Sequence, residues 1–159
     1  MIQMKYPKID LTPLTAYLTG AIIGDGNLAN YSKSKTDPSP DYRISIDISD
    51  REHLKYIEKL IKSIISTTTT PKEPKQRGNR VPRLFLLVRN KALFNFLNTE
   101  MEVPKGKKSS IVKVPSKIGS SSNEIKKHFL AGYFDADGGF RGKTFRFHNC
   151  KLRIKGRYK

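Results

Sequence analysis

Two stretches decide the reading: Leu18-Thr19-Gly20-Ala21-Ile22-Ile23-Gly24-Asp25-Gly26 and Leu130-Ala131-Gly132-Tyr133-Phe134-Asp135-Ala136-Asp137-Gly138. Aligned without gaps they share Leu, Gly, Asp and Gly at the same places, with a small residue at Gly24 and Ala136. They lie 112 residues apart (137 − 25), a domain-sized internal repeat. Gly20 and Gly24 are four apart, as are Gly132 and Ala136, so on helices each pair shares one face. Small residues there let two helix backbones approach closely. Such helices would bring Asp25 and Asp137 together at their ends, where two carboxylates repel unless a cation joins them. Hard oxygen donors favour Mg²⁺. A single Asp-Gly after an apolar run reads only as a helix stop; the second copy makes paired acids the sharper reading.

Working outward, Thr12-Pro13 opens the first helix, and Leu14, Leu18 and Ile22 set an apolar stripe. Tyr42 to Ile48 alternates strictly, with Ile44, Ile46 and Ile48 on one face and Arg43, Ser45 and Asp47 on the other. Ser49 and Glu52 have capping-box spacing ahead of a helix bearing Leu54, Ile57, Ile61 and Ile64. Thr67 to Thr70 and Val81 to Arg89 read as strands joined by a basic turn. Asn90 caps a short helix through Leu93, Phe94 and Leu97. Ser121 and Glu124 repeat the capping-box spacing before the second motif helix. Residues 1–103 thus form a complete half, 104–120 a basic linker, and 121–159 an incomplete half. The class is α+β, with an antiparallel sheet and helices on one face.

Lys plus Arg is 31 against 14 Asp plus Glu, a formal charge of +17. That excess suits a polyanion, through displaced counterions, with an anionic membrane surface as competitor. No basic amphipathic helix stands out, and no apolar run approaches the ~20 residues that span a bilayer. The opening MIQMKYPKID has no apolar core of a signal peptide. The one cysteine, Cys150, excludes an internal disulfide, and His53, His128 and His148 show no zinc spacing. An intracellular setting is expected, in a prokaryotic cytoplasm or nucleoid or an organelle matrix.

The second stretch differs at two positions from the sequence that names the LAGLIDADG homing endonucleases, and the chain resembles that family over most of residues 12–149. The resemblance implies a helix-β-β-helix-β-β-helix half with a concave antiparallel sheet in the DNA major groove, followed by an incomplete second repeat. It implies a site-specific, intron-encoded double-stranded DNA endonuclease that hydrolyses phosphodiesters with Mg²⁺ or another divalent cation. Asp25 and Asp137 would be the catalytic metal ligands, with the Gly24 and Ala136 carbonyls as further donors. Gly20, Gly24, Gly132 and Ala136 would pack the helices. Arg43, Ser45 and Asp47 would face DNA, joined by Arg83 and Arg89 on a strand parity that also exposes Phe85 and Leu87. Lys75, Arg77 and Arg80 would hold phosphate from their turn.

The resemblance breaks after the second motif. Twenty-two residues follow Asp137 (159 − 137), room for one strand, Lys143 to Asn149, or a short hairpin, and then a basic tail. The helper position beside the metal carries Asp47 or Ile48, and Phe140 follows the second motif. Arg141 or Lys143 would then serve as base. The alternative is a non-cleaving nucleic-acid binder, such as an intron RNA maturase. Motif pairing within one chain gives a monomer, and pairing of the first motif between chains a homodimer.

Overall fold

The computed structural model describes residues 7–32, 39–48, 50–66, 69–72, 84–106, 113–141 and 144–147. Thr12 sits in extended backbone ahead of helix α1 (Pro13–Asp25), and its side chain accepts from the Thr15 N–H. The Thr15 hydroxyl accepts in return from the Thr12 N–H at 2.7 Å, a capping box whose return arm is threonine in place of Glu or Gln. α1 lacks the single expected stripe. Every residue from Thr15 to Ile23 is buried, whereas Leu14 is 46% exposed. A helix buried all round is a core helix, and α1 is enclosed by helices on some sides and strands on others.

α1 runs straight into β1 (Gly26–Ser32), which pairs antiparallel with β2 (Pro40–Ile48). β2 pairs with β4 (Leu84–Arg89), and β4 with β3 (Thr69–Lys72), so the sheet order is β1-β2-β4-β3, antiparallel throughout. Ile44, Ile46 and Ile48 are buried as their alternation requires. The register sets Leu28, Ile44 and Val88 in one row and Ile46 and Leu86 in the next, all buried on the face that meets α1 and α2 (Arg51–Ile64). On the opposite parity the expectation fails for Leu87, which is buried, while Phe85 is half-buried. β4 has a strand on each side, so cross-strand neighbours shield it.

α2 is capped by Asp50, not by the expected Ser49, which lies outside the described residues. The Asp50 carboxylate accepts from the Glu52 and His53 N–H groups at 2.7 and 3.0 Å. Those N–H groups, His53 first, hold its carboxyl below the usual range. A negative group at the positive end of the helix dipole is the better cap. Asn90 does cap α3 (Lys91–Asn95), accepting from the Leu93 N–H at 2.9 Å. A π-helical turn, Phe96–Glu100, comes next and buries Phe96 and Leu97. Asn90→Ala should cost about 1 kcal/mol, read as a lower urea midpoint with an unchanged slope.

Within residues 104–120, the stretch expected to be a linker, helix α4 (Ser116–Gly119) buries Ile118, and the Gly106 N–H donates to the Leu28 carbonyl at 2.9 Å. Residues 107–112 lie outside the described residues. Glu102 anchors this segment from a left-handed backbone, φ 54°. The Ser116 N–H reaches its carboxylate at 3.2 Å and the Lys113 ammonium at 3.0 Å. Hydrogen bonds from the Ser116 hydroxyl and Lys113, with that N–H, pull the Glu102 carboxyl down to about 2. The folded value lies below the ordinary 4.5, so this anchor contributes stability above about 4.5 and loses it as pH falls toward about 2. Urea midpoints of the wild type and Glu102→Gln should differ at neutral pH and converge on acidification.

Helix α5 (Asn123–Asp137) carries the second motif. Its cap is Ser122, accepting from the Ile125 N–H at 3.4 Å, not Ser121. The Ser121 hydroxyl instead donates to the Lys117 carbonyl and so belongs to the end of α4. α5 passes into β5 (Gly138–Arg141), paired antiparallel with β6 (Thr144–Phe147). Of the two forms expected after the second motif, the chain adopts the hairpin. No helix among the described residues is long and apolar enough to cross a membrane.

Candidate metal centre and nucleic-acid face

α1 and α5 run side by side in backbone contact. A Cβ added at Gly20 would lie 2.2 Å from the Phe129 carbonyl oxygen and 2.6 Å from the Tyr133 nitrogen. One at Gly132 would lie 2.0 Å from the Tyr17 carbonyl oxygen. One at Gly24 would meet the Ala136 Cβ at 2.5 Å and the Asp137 Cβ at 3.4 Å. The four small residues therefore form the seam. Contacts rise together along both helices, so both helices end at the same junction, with Asp25 and Asp137 beside each other. The helices end alike: Gly26 (φ −90°, ψ 171°) returns its N–H to the Ile22 carbonyl, and Gly138 (φ −89°, ψ 161°) to that of Phe134. Neither glycine is left-handed. Each is needed for space, since a Cβ would come within 2.8 Å of Ile22 backbone atoms or 2.5 Å of the Phe134 oxygen. Each helix thus feeds its strand without a turn.

Asp25 and Asp137 are both half-buried. They lie where two helix C-termini point their negative dipole ends, a place that favours a cation. The buried Tyr133 hydroxyl donates to Asp137 Oδ2 at 3.2 Å and fixes that carboxylate. Tyr133 was not foreseen, although its place four residues before Asp137 puts the two on one helix face. Asp135, only two residues before Asp137, serves another purpose. Its Oδ2 accepts from the Tyr17 hydroxyl at 2.6 Å, and that hydroxyl lies 3.2 Å from His53 Nε2. The Tyr17 ring packs edge-on against Tyr56 at 5.3 Å. Burial, and then the Asp135 carboxylate, push the Tyr17 hydroxyl well above the usual tyrosine range, so it stays protonated and ties α1 to α5. Among the described residues no three His, Cys, Asp or Glu side chains form a metal cluster; the donor set that the resemblance implies is the carboxylate pair with the last-turn carbonyls of Gly24 and Ala136. Two carboxylates with backbone oxygens are hard donors of the kind Mg²⁺, Mn²⁺ and Ca²⁺ take. The residues present fit such an ion.

The face of the sheet turned away from the core carries Arg43, Ser45 and Asp47 on β2. Arg89 lies directly opposite Arg43, Leu87 opposite Ser45, and Phe85 opposite Asp47. Asp47 is exposed and Ser45 half-buried. Asp41 joins this face unforeseen. It is 7% exposed; its Oδ2 accepts from Arg43 Nε at 2.6 Å and from Arg89 Nε at 3.4 Å, and its Oδ1 lies 3.2 Å from Arg89 Nε. Burial works against the Asp41 charge, but the Arg43 and Arg89 guanidinium groups overcome it and hold the carboxyl below its usual range. The signal was available: Asp41 and Arg43 are two apart on a strand and so share a face. Arg141 occupies the end of β5, opposite Thr144. Lys75, Arg77, Arg80, Arg83 and Lys143 lie outside the described residues.

No family model matches the chain, and no curated protein does. Solved structures do. The chain is similar to the homing endonuclease I-DmoI in complex with DNA and Mn, at a TM-score of 0.60 and 22% identity over 82% of this chain and 64% of that one. It is also similar to the homing endonuclease I-WcaI bound to its DNA recognition sequence, at 0.54 and 18% over 85% and 54%. The chain therefore spans less than two thirds of the length of these proteins. The fold is that of the LAGLIDADG homing endonucleases.

Proposed function

We propose that this chain, built on the LAGLIDADG homing-endonuclease fold, is a site-specific endonuclease of double-stranded DNA that works with a divalent cation, Mg²⁺. The observation that supports this reading is the close approach of α1 and α5 at Gly20, Gly24 and Gly132, with Gly24 against Ala136 and Asp137, which would bring Asp25 and Asp137 together at the helix ends. The two carboxylates would hold the cation, with the Gly24 and Ala136 carbonyls as further donors. A divalent ion bound there supplies charge stabilisation to a phosphodiester under attack. Tyr133 keeps the Asp137 carboxylate turned for that duty. The outer face of the sheet, through Arg43, Ser45, Asp47 and Arg89, would meet base edges, while the +17 charge supplies salt-dependent affinity for phosphate. Similar structures hold DNA, together with Mn in some and Ca in another. Since α5 of the same chain takes the small-residue face of α1, the working unit in this reading is a monomer. Intron coding and an intracellular setting belong to the same proposal.

The test is incubation with a plasmid library and Mg²⁺, beside Asp25→Asn. Discrete cuts that need both the ion and Asp25 support the reading, and equal cutting by the two proteins sinks it. The second reading is a non-cleaving binder such as an intron RNA maturase. That reading expects tight, salt-sensitive binding, a preference for intron RNA over duplex, and indifference to Asp25.

A further inference from the structure

Asp41 is a buried acid set between two arginines at one end of the outer face of the sheet. Its neighbours explain its place. Arg43 presents both Nε and Nη2 to one Asp41 oxygen, each at 2.6 Å, and Arg89 brings Nε to 3.2 Å from the other. The Arg43 guanidinium also lies over the Tyr31 ring, 5.5 Å from its centroid. Tyr31 is opposite Asp41 in the sheet register, and Arg89 opposite Arg43. The cluster therefore spans three adjacent strands at one end of the outer face.

A guanidinium carries five N–H groups in a planar fork. With Nε and one edge of Nη2 spent on Asp41, Arg43 keeps an outward pair of N–H groups from Nη1 and Nη2. That pair has the spacing that meets guanine O6 and N7 in the major groove. The aromatic ring and the carboxylate remove the rotamer freedom a long side chain would otherwise lose on binding. Phosphate is the competing acceptor, and Asp41 argues against it. A fixed carboxylate beside the fork repels a phosphate anion, while a neutral base edge meets no such penalty. Both tips remain reachable, with the Arg43 side chain 39% and that of Arg89 54% exposed.

Resting on the proposed DNA-binding reading, we infer that Asp41 is a positioning residue for specificity: it presents Arg43 and Arg89 as a paired guanine reader at one end of the sheet. Neither arginine would select guanine sharply without it.

The experiment is repeated selection from random-sequence duplex DNA by the wild type, Asp41→Asn, Arg43→Lys and Arg89→Lys, with the enriched base scored at each position. The wild type should enrich guanine at two positions. Arg43→Lys should lose one of them and Arg89→Lys the other, each by about tenfold, within the range one bidentate contact gives. Asp41→Asn should weaken both while the rest of the selected sequence is unchanged. Undiminished guanine selection in Asp41→Asn overturns the inference, and so does an even loss of preference at every position, which a merely structural role would give. Arg43→Lys leaves a charge beside Asp41, so a wild-type preference that survives it overturns the inference even where Asp41→Asn fails to fold. In these cases duplex binding by the wild type persists and the proposed function stands; a wild type that binds no duplex sinks both.

Discussion

Asp25→Asn, and equally Asp137→Asn, should abolish divalent-dependent cutting of duplex DNA while leaving DNA binding in place. The amide has the size of the carboxylate, so the seam between α1 and α5 is undisturbed. What disappears is one of the two anionic groups proposed to hold the cation at the junction. Losing an outer partner of a metal ligand typically costs about 10–100-fold in affinity or activity, and losing the ligand itself should exceed about 100-fold. Tyr133 provides the internal comparison, because its hydroxyl reaches Asp137 Oδ2 at 3.2 Å without being a ligand. Tyr133→Phe should raise the Mg²⁺ concentration needed for half-maximal cutting by about tenfold and leave the plateau largely intact. The wild type should melt higher in Mg²⁺ than in chelator, and Asp25→Asn should lack that gain, because the ion stabilises only the protein that binds it. Cutting assays and thermal melts with and without ion check both halves.

Gly132→Ala should unfold much of the molecule. The added methyl would sit 2.0 Å from the Tyr17 carbonyl oxygen, and the obstacle is backbone, which cannot rotate aside. The helices would have to part, withdrawing Phe129 and Tyr133 from the core and breaking the link from Tyr17 to Asp135. Forcing one methyl into a packed interior costs about 1–3 kcal/mol. A clash between two backbones belongs at or above about 3 kcal/mol, a large share of the ~5–15 kcal/mol a domain holds. Gly119 in α4 is the control, since a Cβ there meets nothing within 4 Å. Gly119→Ala should leave the urea midpoint almost unmoved, where Gly132→Ala collapses it.

The motif pair, the Ile44/Ile46/Ile48 face and the helix-strand-strand order were legible because each rests on a local period or a repeat. The repeat did not reveal what each copy packs against. Leu18 and Leu130 hold the same motif position, yet the first is 1% and the second 38% exposed. Burial depends on the neighbouring element, and only the first helix has a four-stranded sheet and α2 beside it. Caps slipped by one residue at Asp50 and Ser122 because several adjacent side chains there could accept the same N–H groups. Asp41 was missed for a related reason. Its spacing from Arg43 was legible, but the third member of the cluster, Arg89, lies 48 residues away and is brought alongside only by the pairing of β2 with β4. Tyr133 and Asp135 were within the quoted motif, but sequence could not say that one turns to Asp137 and the other to Tyr17.

Asp25 and Asp137 should act together on one cation. Manganese binding, followed by the electron paramagnetic resonance of the free ion with random duplex DNA present, measures that directly. The wild type, each single Asp→Asn variant and the double variant form a cycle. For two ligands sharing one ion, each single variant should lose most of the binding and the double little more, a strongly non-additive result. Undiminished binding in the double variant, or losses that simply add, would show that the two carboxylates share no ion.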